Sequence, residues 1–97
     1  MHEAVAVVGN EAMVAALGAA GHAAGVEATA EGTLVGVRFA DGACLLLGDH
    51  GSGTWDWVLE AGGDAELLAD GANVRGADVP AVVGRLSLRH GGPSAGQ

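Results

Sequence analysis

No lysine, isoleucine or tyrosine occurs among the 97 residues, and there are only one cysteine, two prolines and three aromatic side chains. Each shortage excludes something. A lone Cys44 rules out a disulfide within the chain. Four cations, all arginine, stand against twelve carboxylates, a net charge of −8. Phosphate binding needs clustered cations that release counterions, so direct nucleic-acid binding is not expected. No run approaches the eighteen or so apolar residues of a membrane span. No charged leader followed by an apolar stretch and an A-x-A-like site is visible. The expected setting is cytoplasmic, away from membranes. The missing residue types share AT-rich codons, which points to a high-GC bacterial genome or its phage, so absent lysine says little about function.

Alanine, glycine, valine and leucine fill the chain. Its charge is uneven: residues 1–37 carry no arginine, whereas residues 74–97 hold Arg75, Arg85 and Arg89 against Asp78 alone. A chain of this length supports one small core. The expected layout is a single domain over 1–90 with a disordered polar tail over 91–97.

Periodicity supplies the elements. "AVAVV" (4–8) is too short to assign to strand or helix. "GNEAMVAALGAAGHAAG" reads as a helix, with Asn10 as cap, Met13, Leu17 and Ala20 on one face and Gly25 at its left-handed stop. "VEATAE" is a weak strand. "TLVGVRFA" alternates, with Val35, Val37 and Phe39 on one side. Asp41-Gly42 signals a two-residue hairpin, which sets Phe39 opposite Cys44, Val37 opposite Leu46 and Val35 opposite Gly48. A four-residue loop over His50–Gly53 then sets Asp49 opposite Thr54, Leu46 opposite Trp57 and Cys44 opposite Leu59. The two turns agree on one core face: Val35, Val37, Phe39, Cys44, Leu46, Trp57 and Leu59. "AELLADG" is a further strand candidate and "GANVRGA" a loop. "DVPAVVGRLSLRH" is a second helix, capped by Asp78 and carrying Val79, Val82, Val83 and Leu86 on its apolar face.

Chemistry-bearing groups are few. Asp49, His50 and Ser52 are the types found in acyl-transfer triads. A nucleophile elbow, however, needs G-x-S-x-G between strand and helix; here the flanks are both strands and His50 stands where that motif has glycine. His2, His22, His50 and His90 are too scattered for a ligand set. Gly9 alone does not make a dinucleotide fingerprint. No catalytic residue, metal or cofactor is expected. What remains is apolar surface. The second face of the meander carries Leu34, Leu45, Leu47 and Val58, and Trp55 near the loop end adds a candidate contact.

The fold class expected is α+β: an antiparallel meander of three to five strands flanked by an N-terminal and a C-terminal helix. The expected function is a non-enzymatic, acidic protein–protein interaction module of adaptor, inhibitor, immunity or antitoxin type. Its partner is another protein or a second copy of itself, met through Leu34, Leu45, Leu47, Trp55 and Val58. Two alternatives stand beside it: a DNA-mimic inhibitor of a nucleic-acid-handling complex, and a small ligand-binding protein or enzyme with a pocket between sheet and helix.

Overall fold

The computed structural model describes residues 9–30, 32–50, 53–62 and 66–91. The element expected at 4–8, Ser52 and the tail beyond Gly91 lie outside the described residues. The order is α1 (Asn10–Ala19), β1 (Gly25–Thr29), β2 (Gly32–Arg38), β3 (Cys44–Asp49), β4 (Thr54–Glu60), β5 (Leu67–Arg75), a 3-10 turn (Gly76–Asp78) and α2 (Val79–His90). All five strands form one antiparallel sheet in sequence order. This is the expected α+β meander with a helix at each end.

α1 starts and stops differently from expectation. Its cap is Gly9, whose N–H donates to the Asp49 carboxylate of β3. Asn10 is instead the first helical residue and donates from its side chain to the Thr33 hydroxyl at 3.1 Å, tying the helix start to β2. The helix ends six residues before Gly25. The His22 N–H reaches the Leu17 carbonyl and the Gly21 N–H reaches the Gly18 carbonyl, with Gly21 left-handed at φ 92. That bonding pair closes a helix with its glycine one position past the cap, which frees Gly25 to open β1. α2 has the expected proline in its first turn; Asp78 holds the cap position without a side-chain cap hydrogen bond, and left-handed Gly91 ends the helix.

The turn between β2 and β3 sets the register and differs from the expected two-residue loop. The Gly42 N–H donates to the Phe39 carbonyl at 3.0 Å, and the Phe39 N–H to the Ala43 carbonyl at 2.9 Å. Gly42 is left-handed at φ 94, and Asp41 is not. A two-residue type I′ turn needs positive φ at both central residues; a turn of three residues closed by a left-handed glycine does not. The pairing therefore slips by one, to Arg38↔Cys44, Val37↔Leu45 and Val35↔Leu47. One residue of slip moves every β3 side chain to the opposite face. The β3–β4 connection slips by one in the opposite sense, giving Asp49↔Trp55, Leu47↔Trp57 and Leu45↔Leu59. Together the two slips displace β4 by two residues relative to β2, so that Val37 aligns with Leu59 rather than Trp57, and the β4 side chains stay on the expected face.

The core follows from this register. Val35, Val37, Phe39, Ala43, Leu45, Leu47, Trp55 and Leu59 of the sheet join Met13 and Leu17 of α1 and Val79, Val83 and Leu86 of α2 in one cluster. Fully burying one such aliphatic or aromatic side chain stabilises by roughly 1.5–3 kcal/mol. Both helices therefore cover the same face of the sheet. The expected core members Cys44 and Leu46 point the other way. Trp55, expected near the loop end and partly exposed, is fully buried, whereas Trp57 is half-buried beside the core. Its indole lies over Gly71 on β5, where an added Cβ would sit 2.3 Å from Nε1.

β5 also runs further than expected. It takes in Ala72–Arg75, which the sequence marks as loop. Register shifts opposite Trp55/Trp57 and Leu59/Glu60 let it accommodate extra residues. At the first shift Asn73 is left-handed at φ 57, and its N–H donates to Asp56 at 3.0 Å.

Candidate interaction face

With both helices on one side, the other side of the sheet is uncovered among the described residues. Leu46 occupies its centre, paired with Gly36 of β2 and with Val58 of β4, which in turn faces Asp70 of β5. A second row runs Arg38, Cys44, Glu60 and Leu67. Leu34 leans over Gly48, coming within 3.3 Å of where a Cβ would stand there. The Glu27 side chain lies across Gly36 in the same way, 2.6 Å from a would-be Cβ. Leu34, Leu46 and Val58 are half-buried, and the bulged start of β5 adds Leu67 and Leu68, which are 55% and 47% exposed.

Charge frames this apolar centre. Glu27, Asp56, Glu60 and Asp70 surround it, and the cation Arg38 lies 3.6 Å from Glu27. So exposed an ion pair is worth only about 0–1 kcal/mol. Partial burial pushes the Cys44 thiol upward, and Glu27 and Glu60 add to this against Arg38. Cys44 is therefore a protonated small side chain in the face, because a reactive thiolate needs the opposite surroundings.

The residues expected to meet a partner divide. Leu34 and Val58 lie on the open face. Leu45, Leu47 and Trp55 do not: all three have no exposed surface and sit under the helices. The one-residue slip at Gly42 is the cause for Leu45 and Leu47; Trp55 keeps its expected face of β4 and is covered there rather than exposed near the loop end. The same slip brings out Leu46 and Cys44, which sequence reasoning placed in the core. A signal for the observed register exists in β3: Leu45 and Leu47 form the larger apolar pair, and the set Cys44, Leu46 and Gly48 tapers to no side chain.

The Asp–His–Ser stretch does architectural work in its described part. Asp49 receives the Gly9 N–H at the start of α1. His50 Nε2 lies 2.7 Å from Asp56 Oδ2, and Oδ1 of the same carboxylate takes the Asn73 N–H. Asp56 thus clips the β3–β4 connection to the bulge of β5; these contacts, the Asn73 N–H first, hold its carboxyl below the usual range. His90 and Asp41 make a parallel clip, with Nδ1 and Oδ2 2.7 Å apart and the Asp41 N–H on the His90 carbonyl. Asp41 is held low mainly by the Ala43 N–H and then by His90. Among the described residues no three His, Cys, Asp or Glu side chains gather as a metal site, and no helix is long and apolar enough to cross a membrane.

No protein-family model, curated protein or solved structure matches the chain. Function is accordingly argued from the geometry of its surfaces.

Proposed function

We propose that this domain is a non-enzymatic protein–protein interaction module that docks a basic partner on its open sheet face. One observation carries the reading: an apolar centre of Leu34, Leu46 and Val58, ringed by Glu27, Asp56, Glu60 and Asp70, lies on the side that neither helix covers. Half-exposed antiparallel sheets ordinarily alternate apolar core with polar surface, and a contiguous apolar patch with a polar rim is the anatomy of an interface. The acidic rim selects the partner's charge, because complementary potentials steer encounter and like charges repel. A two-fold dimer through this face would set the acidic rims against each other, so a different protein is the better occupant than a second copy. A nucleic-acid-binding protein has the required basic surface, which keeps inhibition by DNA mimicry within the same reading. We take the compartment to be the cytoplasm, where an unpaired cysteine persists reduced.

The test is capture from a high-GC bacterial host, followed by reconstitution with the purified partner. A stoichiometric complex with a basic protein is expected, weakened by salt and lost in Leu46→Asp/Val58→Asp while that variant stays folded. A partner bound equally well by the folded variant would defeat the proposal.

A further inference from the structure

A second surface, of opposite sign, lies on the helix-covered side. β5 is one edge of the sheet, and α2 runs beside it with a groove between them. The wider end, about 470 Å³, is bounded by Val74 and Arg75 of β5 and by Asp78, Val82 and Arg85 from the α2 side. The narrower end, about 180 Å³, is bounded by Trp57, Leu86 and Arg89 with the same Val82 and Arg85. Val82 and Arg85 line both ends. Three of the chain's four arginines thus line one groove of a protein with net charge −8.

Their pairing is uneven. Arg75 has Asp78 at 3.3 Å. Arg85 and Arg89 are exposed, and among the described residues neither has a hydrogen-bond or ion-pair partner. A position near the C-terminus of α2 suits cations through the helix dipole. The dipole does not account for the half-buried Trp57 beside them, whose ring is seated over Gly71.

We infer that this groove binds an acidic segment of another protein in extended form, laid along β5 as a sixth strand. An edge strand offers a row of backbone donors and acceptors to an added chain, and pockets beside it read alternate side chains. The spacing fits: residues four apart on a helix rise by about 6 Å, and alternate residues of a strand are about 6.7 Å apart. Two carboxylates at alternate positions can therefore each meet one guanidinium, Arg85 and Arg89 in turn. The methylene stems of those same two acidic side chains lie against Val82 and Trp57, while the intervening residue points to the opposite face. This surface is independent of the open face and takes the opposite charge.

The experiment is a nitrogen-15 NMR titration of the full chain with a short peptide alternating Glu and Val. Its controls are the same peptide with Gln for Glu, inorganic phosphate, and the Leu46→Asp/Val58→Asp variant. Saturable shifts are expected in the Trp57 indole N–H and the β5 amides, in the chain itself and in that variant alike. Affinity should fall by about tenfold or more with the Gln peptide and in Arg85→Gln/Arg89→Gln. Three results would overturn the inference. One is no saturable shift at millimolar peptide. Another is equal binding of phosphate at the same amides, which makes this an anion site only. The third is self-association abolished by the arginine variant, which makes a second copy the occupant.

Discussion

Phe39 and Ala43 face each other across the β2–β3 turn, the N–H of the first donating to the carbonyl of the second at 2.9 Å. That bond encloses three residues, ends them on left-handed Gly42, and decides which β3 side chains enter the core. Gly42 is thus the position on which the register depends. A β-branched residue in this conformation costs on the order of 1–2 kcal/mol. Gly42→Val should lower stability by about that much and Gly42→Asn by less, as read from urea unfolding midpoints. Equal effects would mean that the conformation of the turn is not the cause.

The two tryptophans should separate cleanly. Trp55 has no exposed surface, so Trp55→Ala should cost roughly 3–5 kcal/mol, close to the whole stability of a small domain. Trp55→Phe keeps enough volume for the comparison to be measured in a folded protein. Trp57→Ala should cost clearly less. In Trp57→Phe the remaining native emission should be blue-shifted; a red-shifted spectrum would place Trp55 in water.

Register makes a sharper prediction at neighbouring residues. Leu47 is fully buried and Leu46 half-buried on the open face. Leu47→Asp puts an unpaired carboxylate into the core, one of the few changes that costs more than about 4 kcal/mol. Leu46→Asp leaves its carboxylate in reach of water and should cost far less. Thermal unfolding of the two variants checks this, and the reverse order would restore the two-residue turn.

Acid sensitivity follows from Asp41 and Asp56. Both are held below the usual carboxylate range by backbone N–H donors, from Ala43 and Asn73 respectively, and then by His90 and His50. A carboxylate depressed in the folded state adds stability that is present above the unfolded value of about 3.9. That contribution is lost as pH falls through the lower folded value. The double variant Asp41→Asn/Asp56→Asn should therefore lose less stability than the parent between neutral pH and pH ~3. Denaturant midpoints at the two pH values give the comparison; identical losses would remove these two groups from the acid response.

The strands, both helices and the membership of most core positions can be read from alternation and helical spacing: Val35, Val37 and Phe39, then Leu59, then Val79, Val83 and Leu86; on β4 the fully buried tryptophan is Trp55 rather than the expected Trp57. The face of β3 cannot. Cys44, Leu45, Leu46 and Leu47 are all apolar, so the one contrast is the larger pair Leu45 and Leu47 against Cys44, Leu46 and Gly48, and turn length decides. The Asp41-Gly42 pair fits either loop. Which side of the sheet each helix takes is likewise not a local property, since it depends on α1 and α2 both finding the larger apolar set. The reach of β5 through Ala72–Arg75 depends on Asp56, seventeen residues before Asn73, receiving the N–H that the bulge leaves over. Two of the three residues at the centre of the candidate face, Leu34 and Val58, were therefore legible. Leu46 required the register, and the arginine groove required knowing that α2 lies beside β5.

The most direct test of the account is methyl NMR of the leucines and valines with a soluble nitroxide, recorded before and after addition of the purified partner. In the free protein the nitroxide should broaden the methyls of Leu34, Leu46 and Val58 and spare those of Leu45 and Leu47. The partner should then restore the first three and leave the last two unchanged. Broadening of Leu45 and Leu47 with Leu46 spared would contradict the register, and a partner that leaves Leu34, Leu46 and Val58 broadened would contradict the open face as its docking surface.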